Sequence, residues 1–164
     1  MSTLDWSREA LRAFPATLAT LIDQVPADAL DWKPASWDGI PSEMLTIRQQ
    51  VCHLRDIEVD GYAVRFARVL AESNPHLESI DTYALVESEN YDQTDARVAL
   101  KDFAAARAAT MRLLDPLTPS DLARTGDFEG YGAVTLRALI HYLCSHDQQH
   151  VAGIQWLLGQ HARD

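Results

Sequence analysis

Apolar side chains recur with the three- and four-residue spacing of a helix in four segments of this chain. In the first segment, Leu4, Leu11, Leu18 and Val25 follow one another at seven-residue intervals, and Pro15 should kink that helix or limit its regularity. The spacing predicts helices over residues 4–25, 47–70, 95–114 and 136–158. No segment alternates apolar and polar residues as a half-buried strand does. The sequence therefore predicts an all-α fold, a four-helix bundle with long connections that forms a single domain over residues 1–164.

Local signals mark the expected ends of these helices. Thr46 followed by Gln49 has the spacing of a capping box at the start of the second helix. Thr94 and Thr135 are predicted to cap the third and fourth helices, and Gly159 is predicted to end the fourth.

Two histidines in the fourth predicted helix, His146 and His150, stand four residues apart. A helix turns about 100° per residue, so both imidazoles leave the same face about 6 Å apart. That spacing lets both bind one metal ion at about 2.0–2.1 Å. A pair of histidines is an incomplete site, and His53 in the second predicted helix is the best candidate for a third ligand. The sequence predicts a three-histidine metal site between two helices, with one coordination position open to water or another ligand.

The remaining histidines and both cysteines fit such a site less well. His141 lies on the opposite side of its helix from His150, His161 lies beyond Gly159 and is expected to be an exposed tail residue, and His76 is expected in a solvated loop. Cys52 and Cys144 are too few for a disulfide framework and are expected to be buried free thiols.

Charged residues near the histidines leave the general base unidentified. Glu58 and Arg65 are seven residues apart on the second predicted helix and could belong to a buried ion-pair network with Arg107. Asp147 is interpreted as part of a solvated helix surface. Neither carboxylate is assigned a catalytic role.

Composition limits the classes of partner. The chain has 14 basic and 24 acidic residues, a formal net charge of −10, without a local basic cluster. Such a surface repels phosphate groups, so binding to nucleic acids or anionic membranes is not expected. There is no pattern typical of a signal peptide or of a membrane span, and a cytoplasmic location is expected.

Long connections are expected over residues 26–41, 73–91 and 116–134. Loops of this length in a compact bundle commonly cover or shape a site. The connections before the second and fourth helices, residues 26–41 and 116–134, are predicted to approach a small-molecule pocket at the histidine end of the bundle, where Trp37 would contribute an apolar wall to the substrate-binding surface.

These residues resemble the DinB-like superfamily of small metal-binding four-helix bundles. The resemblance covers nearly the whole chain and includes the H-x-x-x-H motif formed by His146 and His150. Further matching segments are residues 30–34, 46–54, 107–110, 124–126 and 134–137, together with Glu58 and Arg65. One departure is Leu45, since members often carry tryptophan immediately before the cap of the second helix.

The resemblance implies that His53, His146 and His150 together bind a divalent metal. It also implies an enzyme related to thiol-dependent transferases and mycothiol-dependent maleylpyruvate isomerase, and it favours a homodimer. Zinc, nickel, iron and copper all suit three nitrogen ligands, so the identity of the metal stays open.

The first functional hypothesis is a metal-dependent transferase that acts on a small molecule with a low-molecular-weight thiol as cosubstrate. Metal-dependent hydrolysis is the closest alternative. A non-catalytic metal- or small-molecule-binding protein, such as a sensor, also remains open. A purely structural bundle whose histidines fill the core is the least favoured interpretation.

Overall fold

The structure is a computed structural model that describes residues 2–163. Its helices and strands, in chain order, are α1 (Thr3–Ile22), α2 (Ile47–Asp56), a π-helical segment (Ile57–Ala63), α3 (Val64–Ala71), β1 (His76–Leu77), α4 (Thr82–Ser88), α5 (Ala96–Leu114), α6 (Pro119–Leu122), β2 (Thr125–Phe128), β3 (Gly132–Thr135) and α7 (Leu136–His161). The segments α2, π and α3 follow without a break and form one long helix. The predicted four-helix bundle is therefore confirmed, with α1, α2–α3, α5 and α7 as its members.

Helices α1 and α2 each pack against both α5 and α7. This places α1 and α2 at opposite corners of the bundle, and it leaves α7 in contact with the helix that carries His53. None of the helices in residues 2–163 is long and apolar enough to cross a membrane.

The expectation that the chain contains no strands was wrong. β1 pairs in parallel with β2, and β2 pairs in antiparallel with β3, forming a small three-stranded sheet beside the bundle. The strands are only two to four residues long, too short for apolar alternation to be visible in the sequence. Gly126 permits the pairing, because a Cβ atom there would lie 2.9 Å from the Leu77 side chain.

The predicted helix starts are confirmed at two of three positions. Thr46 and Gln49 form the capping box of α2, and the side chain of Thr135 caps α7. The prediction for α5 was wrong, because Asp95 rather than Thr94 accepts the first amide hydrogens of that helix. Gly159 does not end α7. It lies inside the helix, which continues to His161.

Pro15 lies within α1 and leaves a backbone carbonyl of that helix free to accept a hydrogen bond from α5. Proline has no amide hydrogen, so the carbonyl of Leu11 loses the donor it would otherwise have four residues later. The buried guanidinium of Arg107 on α5 donates to that carbonyl at 3.1 Å. The proline thus opens a hydrogen-bonding position on α1 that the neighbouring helix fills.

Two hydrophobic clusters occupy the two halves of the bundle. Along α1 one cluster includes Leu11 and the other begins at Phe14, and along α7 the division falls between Cys144 and Ile154. Buried polar side chains lie at the level of this division: His53, Glu58, Arg107, Asp147 and His150. The polar layer, with its histidines, is therefore near the middle of the bundle rather than at one end, and the small-molecule pocket stays a prediction.

Candidate metal centre

Three histidine side chains converge in the polar layer. His53 lies on α2, and His146 and His150 lie one turn apart on α7. The Nε2 atom of His146 is 3.2 Å from Nε2 of His53 and 3.2 Å from Nε2 of His150. The rings of His53 and His150 are completely buried, while His146 is partly exposed. The structure thus brings together all three predicted ligand candidates, from the two helices named in the sequence analysis.

The tautomer of His150 is fixed by a buried amide. Oε1 of Gln50 lies 3.0 Å from Nδ1 of His150. Nε2 of Gln50 donates to the carbonyl of Leu45, so its oxygen is the atom that faces the histidine. Since that oxygen can only accept, His150 carries its hydrogen on Nδ1 and presents a lone pair on Nε2. This is the form in which an imidazole binds a metal.

All three imidazoles are held in the neutral form. Burial lowers the pKa of His53 to about 4 and, together with the proximity of His53, lowers the pKa of His146 to about 3. Burial and both neighbouring histidines hold the pKa of His150 well below its ordinary value. At neutral pH the cluster therefore offers lone pairs rather than positive charge.

A fourth side chain, Glu43, reaches the cluster, and the sequence analysis missed it. One carboxylate oxygen of Glu43 is 3.3 Å from Nε2 of His150, and the other is 3.9 Å from Nε2 of His53. One ligand atom from each of these four residues lies within 4.8 Å of all the others. Glu43 belongs to an irregular loop, so no helical periodicity marks it. Its only signal in the sequence is its position three residues before the cap of the helix that carries His53.

The four side chains fit a divalent metal ion. Ligands at about 2.0–2.1 Å from one ion are separated by about 2.9–3.4 Å in tetrahedral or octahedral arrangements, and the observed 3.2 Å separations fall in that interval. Neutral imidazole nitrogens that face one another also need a cation or a proton between them. Imidazole and carboxylate donors together suit zinc, nickel or iron.

An ion cluster, formed by Glu58, Arg107 and Asp147, lies next to the histidines. Arg107 is 1% exposed and donates to Asp147 at 2.7 and 3.1 Å and to Glu58 at 2.9 Å. Burial raises the pKa of Asp147 to about 6 even though Arg107 opposes the shift. The sequence interpretation of Asp147 as a surface residue was wrong, because α7 packs against both α1 and α2, and Asp147 pairs with Arg107 in the bundle interior.

Arg65 is not part of this ion cluster, contrary to the network considered from the sequence. Its guanidinium donates to the carbonyl of Glu78 at 2.8 Å and lies over the rings of Phe128 and Tyr62, at 4.5 and 5.2 Å from their centroids. It therefore joins the long helix to the small sheet.

The π-helical segment changes which residues face the histidines. In a regular α-helix Tyr62, nine residues after His53, would lie on the opposite side. Wider π turns contain about one more residue each, which delays the helix by about 100°. Tyr62 accordingly packs beside His146, with 6.2 Å between the ring centroids. Glu58 of the same segment reaches Arg107.

The other predicted candidates lie away from the four side chains. Nδ1 of His141 is 2.9 Å from the Ser7 hydroxyl, as expected for the opposite side of α7, and His76 is exposed. His161 is not a tail residue; it is in α7 and packs edge-on against Trp32.

The cysteines and Trp37 complete the set of sequence candidates. Cys52 and Cys144 are buried free thiols, as predicted, and burial raises the pKa of Cys52 to about 11. Trp37 is partly buried against the hydrophobic cluster that contains Val51 and Ile154. Its role in substrate binding stays a prediction.

Comparison with known proteins agrees with this architecture. The profile of the DinB superfamily matches residues 10–154, so the chain belongs to that superfamily. A protein of Oceanobacillus iheyensis, named as a candidate metal-dependent hydrolase, is 24% identical over 152 residues, which cover 92% of this chain and 82% of that protein. The solved structure of YfiT from Bacillus subtilis superposes with a TM-score of 0.83 at 26% identity and covers 99% of this chain and 90% of YfiT. YfiT is described as a probable metal-dependent hydrolase with an unusual four-helix bundle topology.

Proposed function

We propose that this member of the DinB superfamily is a divalent-metal-dependent hydrolase of a small molecule, with His53, His146 and His150 as metal ligands. The observation that carries the proposal is the convergence of three Nε2 atoms, separated by 3.2 Å in the two pairs through His146, with the Glu43 carboxylate beside them. Both named relatives described above carry the same general assignment of metal-dependent hydrolysis.

A metal ion bound here would supply Lewis acidity and would lower the pKa of a water molecule or thiol. The chain supplies the remaining parts of a hydrolytic site. Neutral histidines provide ligands without adding charge, and Gln50 holds the ring of His150 in its ligand form. Glu43 is the candidate general base, because its carboxylate lies within about one hydrogen-bond length of the position that the three nitrogens share.

The surroundings of the histidines favour a small substrate group. His53 and His150 are completely buried, and access is available only where His146 and Glu43 are partly exposed. Glu43 is also in a loop rather than in a helix, so its carboxylate can leave the metal more easily than the helical ligands can. We therefore propose that His53, His146 and His150 would hold the metal, and that water or substrate would exchange with the Glu43 carboxylate at it.

The test compares four tag-free proteins loaded with zinc, nickel or iron(II): wild type, His53→Ala, Glu43→Gln and the exposed control Glu87→Gln. Each is assayed for hydrolysis of a panel of small esters, amides and phosphoesters, and its bound metal is counted by elemental analysis. We expect His53→Ala to lose both metal and hydrolysis. Glu43→Gln should keep the metal but lose at least about 100-fold in rate, the usual contribution of a general base.

Two outcomes would overturn the proposal. If wild type and His53→Ala bound the same amount of metal, the histidines would not be the ligands. If Glu43→Gln lost the metal and metal-loaded wild type hydrolysed nothing, Glu43 would be a structural fourth ligand and the site a closed one.

Transfer to a low-molecular-weight thiol remains the second candidate, because the same metal position would lower the pKa of a thiol. Cys52 and Cys144 are both buried, so a small cosubstrate would have to bring the thiol. Adding thiols and electrophiles to the same assays distinguishes the two reactions: the formation of a thioether only with the thiol present would favour transfer. Homodimer formation is likewise a proposal, and analytical ultracentrifugation of wild type tests it.

A further inference from the structure

We infer that Ser42, Gln50 and Gly153 act together as positioning residues that hold Glu43 at the histidines and fix the tautomer of His150. We call these three residues the loop anchor. The inference rests on the proposed function in so far as the anchored site binds a metal, but its effect on His150 can be measured without any metal.

The centre of the loop anchor is the side-chain amide of Gln50, which is completely buried. Its oxygen lies 3.0 Å from Nδ1 of His150 and accepts from the hydroxyl of Ser42 at 3.3 Å. Its nitrogen donates to the carbonyl of Leu45 at 3.3 Å. Ser42 and Leu45 stand on either side of Glu43 in the chain, so one amide binds the loop both before and after Glu43 while it orients His150.

Gly153 provides the space in which the loop lies. A Cβ atom at this position would overlap the Ser42 hydroxyl and would lie 2.9 Å from the Gln50 side-chain oxygen. Gly153 is in the interior of α7, where glycine is less favourable than alanine by about 0.5–1 kcal/mol. The close approach of Ser42 gives a physical reason for a residue that the helix itself disfavours.

The loop anchor connects α7 to the carboxylate of Glu43. Gly153 lies one turn after His150, Ser42 packs on Gly153, and Glu43 follows Ser42 directly. Any side chain at position 153 must displace Ser42. Displacing Ser42 moves Glu43 away from His150 and removes one of the two hydrogen bonds that hold the Gln50 oxygen in place. The position of Glu43 and the hydrogen on His150 should therefore change together.

The chain contains a matched control for this idea. Gly159 lies in the same helix, and a Cβ atom added there meets no atom within 4 Å. Gly153→Ala and Gly159→Ala therefore make the same chemical change in the same helix, at a buried position that contacts the loop anchor and at an exposed position that does not. Ser42→Ala is a milder variant that keeps the loop unstrained but removes its hydrogen bond to Gln50.

The experiment measures two properties of folded, tag-free protein, with folding checked by circular dichroism and thermal melting. The first is affinity for Zn²⁺ alone, measured by competition with a chromogenic chelator. The second is the tautomer of His150 in metal-free protein, read from the ¹⁵N chemical shifts of its ring. Wild type should carry the hydrogen on Nδ1.

Gly153→Ala should weaken Zn²⁺ binding about 10- to 100-fold, the usual effect of losing support behind a ligand, and should shift His150 toward a mixture of tautomers. Ser42→Ala should change both properties in the same direction but less, and Gly159→Ala should match wild type within about twofold. A Gly153→Ala protein that folds with wild-type affinity and tautomer would overturn the inference. If Gly153→Ala does not fold, unchanged values in Ser42→Ala would overturn it.

Failure of the proposed function gives a different pattern. If wild type and His150→Ala bind Zn²⁺ equally, the metal site is wrong. The ¹⁵N chemical shifts of His150 in wild type, Gly153→Ala and Ser42→Ala then test the inference about the loop anchor without any metal.

Discussion

Two clusters of buried polar side chains lie in the interior of this bundle. One consists of opposite charges that are paired with each other, and the other consists of neutral groups. In the ion cluster Arg107 donates to two carboxylates and to the Leu11 carbonyl, so opposite charges are paired within the protein. In the histidine cluster, formed by His53, His146 and His150, neutral nitrogens face one another, and each close pair needs a metal cation or a proton between its two atoms. Adjacent residues of α7, His146 and Asp147, belong to different clusters. This contrast supports our proposal that the histidine cluster binds a metal ion, whereas the ion cluster has its charges paired within the protein.

The largest expected effect comes from removing the central charge of the ion cluster. Arg107→Ala would leave Glu58 and Asp147 buried without a partner, and breaking a buried ion pair in this way costs about 3–5 kcal/mol. Urea unfolding measures the loss. The exposed Arg112→Ala on the same helix is the control, and equal losses in the two variants would show that the ion cluster does not stabilise the fold.

The corresponding change in the histidine cluster should affect metal binding first. His150→Ala should weaken Zn²⁺ binding by more than about 100-fold, because it removes a ligand rather than a supporting residue. His161→Ala, on the same helix but packed against Trp32, should retain wild-type affinity. Calorimetric titration of metal-free protein compares them, and similar dissociation constants would contradict the assignment of His150.

The two clusters should also respond to acid in opposite directions. His53 and His146 have pKa values of about 4 and about 3 in the folded protein, against about 6.5 when unfolded. Between pH 6.5 and 4 the unfolded chain therefore binds protons that the folded protein excludes, so stability falls as the pH falls. Asp147, with a pKa raised to about 6, works in the other direction and offsets part of this loss.

The net result should be a free energy of unfolding of the metal-free protein at least about 3 kcal/mol lower at pH 4.5 than at pH 7, because His150, whose pKa is also lowered, adds to the loss. Urea unfolding at both pH values measures it. The double variant His53→Ala and His146→Ala should show a smaller loss than wild type, and a loss of wild-type size in the double variant would assign the pH dependence elsewhere.

The smallest effects come from the same conservative substitution in each cluster. Glu58→Gln removes a charge that Arg107 pairs with at 2.9 Å and should cost about 1–2 kcal/mol of stability. Glu43→Gln, on a partly exposed loop, should change the stability of the metal-free protein by less than about 0.5 kcal/mol. Thermal unfolding compares the two variants, and a larger loss for Glu43→Gln would reverse the roles assigned to the clusters.

The bundle and the histidine convergence could be predicted because helical periodicity carries both. Periodicity places His146 and His150 on one face of α7, and the capping box at Thr46 fixes where the helix of His53 begins. The contact between those two helices is tertiary and followed from the family resemblance.

The features that were missed have no local period. Glu43 lies in an irregular loop, and its approach depends on the absence of a side chain at Gly153, a position inside α7 that is remote from Glu43 in sequence. The π-helical segment has no periodic signal in its residues, and the contacts it allows, from Glu58 to Arg107 and from Tyr62 to His146, are tertiary. Asp147 was misplaced because a central helix is buried on more than one face.

The π-helical segment Ile57–Ala63 also affects how this chain must be aligned with its relatives. A regular α-helix that joined the same two faces would need about one residue fewer, because each π turn holds about one residue more. An ungapped alignment with such a helix would rotate every later position by about 100° and would match the buried Phe66 with the position that exposed Ala67 occupies here. A single gap inside the segment restores the correspondence on both sides. The presence or absence of that gap would divide the relatives into those that bring a residue at the position of Tyr62 beside the first histidine of the H-x-x-x-H motif and those that do not.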